Sequence, residues 1–359
     1  MELLTVADYE TLAATRLPDG ALGYYRSGAD AEWTLSENQA AWQRITVLPR
    51  VLVDVSKRSL RTEILGQTLE MPILVAPTAC QAMAHPDGEL ATARAAGAAG
   101  TIMILSSLSN HRVEDVVSAA SGPVWFQLYV SRVRDEAHAL IERVEAAGCQ
   151  ALVVTVDVPV AGQREADSRS RFSIPEHLDM PNLVGSESSM GETPPPGSSA
   201  LSELVDRLLD ASLDWKDLEA LARRTRLPVF VKGVLRADDA IRAMDHGAAG
   251  VVVSNHGGRQ LDTVPATATV LPGIAEALAG RGTLLVDGGI RRGTDVLKAI
   301  ALGAHGVLVG RPLLWGLAVE GERGAASVLE VLRSEFDRAM ALSGCPDLTA
   351  CTRDLLDLP

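Results

Sequence analysis

Cysteine is scarce in this chain of 359 residues: Cys80, Cys149, Cys345 and Cys351 are the four present, and no two form a CxxC pair. Such a set suits neither a disulfide framework nor a zinc site, so buried or free thiols and no bound metal are expected. Long apolar runs are also missing. Nothing approaches the roughly eighteen uninterrupted apolar residues of a membrane span, and the opening MELLTVADYETLAATRLP has no basic region leading into an apolar core. Neither a membrane anchor nor a signal peptide is expected. Positive charge is in deficit, with 33 Lys+Arg against 46 Asp+Glu and a net charge of −13. Wide phosphate-backbone contact needs a basic face, so nucleic acid is excluded as a partner class. What remains is an acidic, enzyme-sized, cytoplasmic protein whose 47% hydrophobic content can bury a large core.

Short continuous apolar runs recur along the chain, separated by helix-length segments rich in Ala, Leu, Glu and Arg. The runs are Ile73–Ala76, Thr101–Leu105, Val124–Leu128, Ala151–Val156, Val229–Val231, Gly250–Val253, Leu284–Val286 and Gly306–Val309. Continuous rather than alternating runs suit parallel strands buried on both faces. Four times a glycine placed to end a helix precedes a strand by three residues, at Gly97, Gly148, Gly247 and Gly303. Eight such βα units predict an α/β fold, a (β/α)8 TIM barrel spanning 1–359 as a single domain. Residues 1–70 precede the first strand and are expected to form a helical cap beside it. The fourth and fifth strand starts lie 229 − 151 = 78 residues apart, so an insertion follows strand four, placed at 177–213. Within it, Gly185–Ala200 is rich in Gly, Ser and Pro, and reads either as a mobile lid over the site or as a tolerated surface insertion.

Active sites of such barrels are built where strands run into their following loops, and the polar residues there form a consistent set. Pro77, Thr78 and Ala79 follow strand one, Ser106 follows strand two, and Gln127 and Tyr129 belong to strand three. Thr155 and Asp157 end strand four, and Lys232 ends strand five. Ser254 and His256 follow strand six, Asp287, Gly288, Gly289 and Arg291 follow strand seven, and Gly310 and Arg311 follow strand eight. The last two clusters suit a phosphate, with glycines opening backbone N–H groups and arginines supplying charge; taken singly, each is also an ordinary tight turn. His256 shares the rim with Asp157, which can orient the imidazole and stabilise its protonated form, whereas His85, His111, His138, His246 and His305 read as structural. Arg259 can grip a carboxylate in bidentate fashion. Lys232, ending a buried strand, needs either a ligand that develops negative charge or an Asp or Glu partner.

The stretch Ser254-Asn-His-Gly-Gly-Arg-Gln-Leu-Asp262 closely resembles the FMN-dependent (S)-2-hydroxy-acid oxidase/dehydrogenase family. Tyr24-Tyr-Arg-Ser-Gly-Ala29, Ala76-Pro-Thr-Ala79, Phe126-Gln-Leu-Tyr129, Thr155-Val-Asp157, Arg164-Glu-Ala-Asp167, Asp287-Gly-Gly289 and Gly310-Arg-Pro312 carry the likeness from about residue 5 to about residue 345. The resemblance implies FMN across the barrel mouth, its ring against Pro77–Ala79, Ser106, Gln127, Thr155 and Ser254. It implies that Lys232 faces the N1/O2 edge, and that the phosphate lies at Gly289, Arg291, Gly310 and Arg311. Tyr24, Arg164 and Arg259 would bind the substrate carboxylate, Tyr129 would contact the α-hydroxyl, and His256, backed by Asp157, would be the base. The implied reaction yields a 2-oxo acid by hydride transfer or by way of a carbanion. Oxygen is the expected acceptor, giving hydrogen peroxide, with a quinone-linked dehydrogenase and a non-redox flavin-binding protein as the competing readings. Leu108 and Ala161 stand where glycolate oxidases carry tryptophan and leucine, which points to a 2-hydroxy acid larger than glycolate, aliphatic or mandelate-like. A homotetramer is implied by the likeness alone, and the terminal Asp-Leu-Pro lacks a peroxisomal address.

Overall fold

Eight short parallel strands close into a barrel in the computed structural model, which describes residues 2–170, 172–183 and 198–358. They are β1 (Ile73–Val75), β2 (Met103–Ser106), β3 (Val124–Leu128), β4 (Leu152–Thr155), β5 (Val229–Val234), β6 (Gly250–Val253), β7 (Thr283–Val286) and β8 (Gly306–Val309). Each pairs with its sequence neighbours, and β8 pairs with β1 to complete the ring. All eight expected strands are present. Branched side chains dominate them because both faces are covered, one by the barrel interior and the other by helices. Inside, Ile104, Trp125, Val153, Phe230, Val252, Leu285 and Leu308 form their own core, with the Trp125 and Phe230 rings 4.8 Å apart.

Helices wrap the ring: α1 (Val6–Ala13), α2 (Asp19–Arg26), α3 (Trp33–Arg44), α4 (Gly88–Ala98), α5 (Val113–Ala119), α6 (Arg134–Ala147), α7 (Glu165–Ser170), α8 (Ala200–Leu208), α9 (Trp215–Arg224), α10 (Ala237–Asp245), α11 (Thr267–Leu278), α12 (Gly293–Ala301) and α13 (Arg311–Ser343). The last is broken by non-helical backbone at Glu320–Gly321. Three of the four expected helix-ending glycines are left-handed, namely Gly148, Gly247 and Gly303. The fourth differs: Gly97 lies inside α4, and Gly100 takes the left-handed turn instead. Gly97 is glycine for another reason, since a Cβ there would come 2.7 Å from the Gly122 backbone nitrogen.

The segment before β1 holds more than helices. Thr62–Ile64 and Gln67–Leu69 form a hairpin whose turn residues Leu65 and Gly66 both have positive φ. Its Ile64 and Leu69 join the interior core and cover the N-terminal end of the barrel. Within the long β4–β5 connection the structure holds α7, α8 and α9, of which α8 lines the site through Leu201 and Val205. Most of the Gly185–Ala200 stretch, read from the sequence either as a lid or as a tolerated surface insertion, lies outside the described residues. No described helix is long and apolar enough to cross a membrane.

Candidate active site

A cavity of about 1150 Å³, counting its open mouth, occupies the C-terminal end of the barrel. Nearly every residue singled out from the sequence lines it: Tyr24, Pro77, Thr78, Ala79, Ser106, Leu108, Gln127, Tyr129, Thr155, Ala161, Arg164, Lys232, His256, Arg259, Asp287, Gly288, Gly289, Arg291, Gly310 and Arg311. Asp157 and Ser254 stand directly behind that wall. Parallel pairing explains the convergence, because it points all eight strand ends at one rim.

His256 is held from two sides. Its Nδ1 lies 2.9 Å from Asp157 Oδ1, and its backbone N–H donates to Ser254 Oγ at 3.0 Å. With the carboxylate at Nδ1 that nitrogen carries the proton, which leaves Nε2 toward the cavity, 3.3 Å from the Tyr129 hydroxyl. Burial pushes the Asp157 carboxyl up, but His256 and Lys232 outweigh it and leave the group below its ordinary value. The backbone is shaped to fit. His256 itself has φ 57°, a strained value for a non-glycine residue, and β5 bulges at Gly233, where a Cβ would come 2.6 Å from the Asp157 side chain.

Lys232 is 4% exposed and answers the question of its partner: Nζ lies 3.0 Å from Asp287 Oδ2 and donates to Ser254 Oγ at 2.9 Å. Burial lowers its pKa, yet Asp287 and Asp157 together raise it above the ordinary value, so the ammonium stays charged. Asp287 Oδ1 is buried without a partner among the described residues. Next to this pair runs a polar chain, with Ser106 Oγ donating to Gln127 Oε1 at 3.1 Å and Gln127 Nε2 donating to Thr155 Oγ1 at 3.0 Å.

Two guanidiniums lie over one aromatic ring. Arg259 lies 4.8 Å and Arg164 5.5 Å from the centroid of the Tyr24 ring, which stacks on Phe172. Arg259 is anchored by donation to the carbonyls of Tyr24 and Ser27, and Arg164 Nε lies 2.8 Å from Asp167 Oδ2. Burial and then the neighbouring Arg164 lower the pKa of Arg259. Two crowded cations with one buried carboxylate beside them make a site that favours a further anion.

The arginines after β7 and β8 differ from each other. Arg311 donates to the carbonyls of Tyr25, Gly257 and Ser27, so it ties the end of α2 to the loop after β6. Burial, Arg259 and Arg291 push its pKa well down. Arg291 keeps its buried Nε without a partner among the described residues. Beside it, the Gly288–Gly289 turn is locked from below, as Trp42 Nε1 donates to the Gly288 carbonyl at 2.8 Å and a Cβ on Gly289 would collide with Asn38.

Val158, Leu201 and Val205 also line the cavity and were not singled out from the sequence. The signal for two of them was present. Leu201, Leu204, Val205 and Leu208 have helical spacing, and the insertion folds there into α8 with Leu201 and Val205 toward the site.

Comparison with known proteins agrees with this geometry. A family model described as FMN-dependent dehydrogenase matches residues 13–358. The chain is 51% identical over 352 residues to glycolate oxidase 1 of Zea mays, covering 98% of this chain and 95% of that protein. It is 50% identical over 353 residues to glycolate oxidase of Spinacia oleracea, with the same coverage. Among solved structures, a mandelate oxidase with (S)-4-hydroxymandelic acid superposes with a TM-score of 0.95 at 40% identity, covering 99% of this chain and 98% of that one. A soluble mutant of the membrane-associated (S)-mandelate dehydrogenase of Pseudomonas putida gives 0.91 at 40% identity, with both chains fully covered. Likeness of this extent reaches the cofactor and the type of reaction as well as the fold: the protein belongs to the FMN-dependent dehydrogenase family and oxidises a 2-hydroxy acid with FMN.

Proposed function

We propose that the enzyme converts an (S)-2-hydroxy acid larger than glycolate, with an aliphatic or mandelate-like tail, to the 2-oxo acid and reduces oxygen to hydrogen peroxide. The observation that carries this reading is the pair Arg164 and Arg259 over the Tyr24 ring, on the cavity that His256 Nε2 faces. A carboxylate held by that pair is placed beside the base. Its tail would meet Leu108, Val158, Ala161, Leu201 and Val205, an apolar wall that a substrate as small as glycolate leaves unfilled.

The residues present fit FMN. Arg291 offers an unpartnered buried N–H and Gly289 a turn with no room for a side chain, which suits a phosphate. Asp287 Oδ1 offers an unpartnered acceptor for a hydroxyl, and Ser106, Gln127, Thr155 and Lys232 form a polar edge for a heterocycle. When bound, the flavin supplies the two-electron acceptor. The protein contributes the rest. Arg164 and Arg259 orient the carboxylate, the Tyr129 hydroxyl meets the α-hydroxyl, and His256 Nε2 takes the proton. Asp157 stabilises the imidazolium so formed, and Lys232 keeps a positive charge in the wall.

The four cysteines are all buried free thiols, in keeping with a cytoplasmic location. A strip of exposed apolar side chains, Leu48, Val51, Leu52 and Leu342, supports a homo-oligomer that covers it. The functional reading is tested by mixing the yellow protein anaerobically with (S)- and (R)-forms of glycolate, lactate, 2-hydroxyoctanoate and mandelate, then admitting air. Bleaching by the longer (S)-acids and fast recovery of colour with peroxide are expected. Slow recovery in air would instead assign a quinone or another carrier as acceptor.

A further inference from the structure

A second buried charge cluster lies behind the cavity wall, outside the groups that face substrate or flavin. Glu89, on the first turn of α4, is 0% exposed. Its Oε1 accepts the backbone N–H of Gln81 at 3.0 Å and of Asn110 at 3.2 Å, and its Oε2 lies 2.8 Å from His111 Nδ1. A carboxylate with no solvent contact is costly unless hydrogen-bonded. Here every bond goes to a segment behind the site.

Those segments converge on Leu108. The Leu108 carbonyl accepts from Cys80 N–H at 2.9 Å, in the turn that continues from Pro77–Ala79. Asn110 Oδ1 accepts from Ala82 N–H at 3.0 Å, and Asn110 Nδ2 donates to the Asp179 carbonyl at 2.9 Å. From the insertion, Asn182 Nδ2 donates to Ser109 Oγ at 2.7 Å and to the His111 carbonyl at 2.9 Å. Ser106, where β2 ends, is held by its register with Gln127. Beyond that point no strand pairing among the described residues supports the loop, and Glu89 supplies the charged centre of what does.

We propose that Glu89 is a positioning residue for the substrate-tail wall: by gripping Gln81, Asn110 and His111 together it fixes Leu108 in place and sets the preference for longer 2-hydroxy acids. This rests on the substrate reading above. It goes beyond that reading by assigning selectivity to a carboxylate that touches neither substrate nor flavin.

The test compares holoenzymes carrying Glu89→Gln or His111→Ala with the parent, using glycolate and 2-hydroxyoctanoate. Glu89→Gln retains one acceptor and removes the charge; His111→Ala removes only the partly exposed arm and spares the buried centre. The expected result is a fall of at least fivefold in the ratio of kcat/KM for 2-hydroxyoctanoate to that for glycolate. KM should carry it, with a smaller fall for His111→Ala. Amide hydrogen exchange over residues 106–112 should quicken at least tenfold while the barrel strands keep their protection. A ratio within twofold of the parent, or equal loss of kcat on both acids, overturns the proposal. If the parent enzyme oxidises neither acid, the substrate reading fails by itself, and unchanged exchange over 106–112 in either variant then overturns the clamp. Should Glu89→Gln not fold, His111→Ala gives both readouts.

Discussion

His256 Nδ1 and Asp157 Oδ1 lie 2.9 Å apart although 99 residues separate them in the chain. The ends of β4 and β6, which flank β5 in the ring, bring them together, and the bulge at Gly233 opens the space that the carboxylate fills. Replacing His256 by Ala should leave FMN bound and slow flavin reduction by about 10²–10⁴-fold, the usual contribution of a positioned base. Asp157→Asn keeps the shape but removes the charge that would stabilise an imidazolium on His256, so a smaller loss is expected. Anaerobic stopped-flow bleaching measures both. Loss of colour on purification of the His256 variant would make the residue structural instead.

Lys232 and Asp287 form an ion pair whose side chains are only 5% and 10% exposed, at the wall of the cavity. Removing one partner of such a pair typically costs about 3–5 kcal/mol, because the other charge is left uncompensated. Lys232→Met should therefore destabilise the flavin-free protein to urea. The double variant Lys232→Met with Asp287→Asn should recover part of the loss. A double-mutant cycle with no coupling between the two positions would show that the pair contributes nothing as a pair.

Much of this arrangement is legible in the sequence, for identifiable reasons. Val251–Val253 and Leu284–Val286 announce strands because both strand faces are buried, which forces continuous apolar runs. Asp157, Lys232 and His256 stand out because each follows such a run. Strand ends are less legible: Thr101 reads as strand, but its hydroxyl donates to the Ile73 carbonyl and β2 starts at Met103. Pairing across the barrel is not legible at all. Nothing in the chain says that Lys232 will meet Asp287 rather than a ligand, or that Arg311 will place its donors on three carbonyls while Arg291 keeps one unused. Those are properties of the closed ring. The amphipathic spacing of Leu201, Leu204 and Val205 announces a helix, and only the tertiary structure decides that part of its apolar face lines the cavity.

His111 introduces a pH dependence with a defined sign. Its hydrogen bond to Glu89 raises its pKa above the ordinary 6.5, against the opposing effect of burial, and Asp115 and Asp87 add to the rise. A group whose folded pKa is raised stabilises the protein fully below its unfolded value and loses that contribution as pH climbs through the folded value. The thermal midpoint of the parent relative to His111→Gln should therefore be highest near pH 5.5 and fall as pH rises from about 6.5 upward. A difference between the two proteins that is constant from pH 5.5 to 9 would show that the imidazole gains nothing from Glu89.

Leu108 and Ala161 offer the most direct handle on substrate size, since both line the cavity and neither has a polar role there. Leu108→Trp and Ala161→Leu each add side-chain volume to the tail wall while leaving Arg164, Arg259 and His256 untouched. A tail that fits the parent cavity then meets the new side chain, and a one-methylene misfit in an apolar pocket already costs about 1–3 kcal/mol, or 10–200-fold in kcat/KM. The double variant should lose at least about tenfold on 2-hydroxyoctanoate and mandelate. Glycolate has no tail to displace, so its kcat/KM should hold or rise. The comparison is made on flavin-replete protein, with the rate of flavin reduction as the readout, so that acceptor chemistry does not enter. Equal losses on all three acids would mean that these positions shape the flavin rather than the substrate, and would remove the argument for a larger natural substrate.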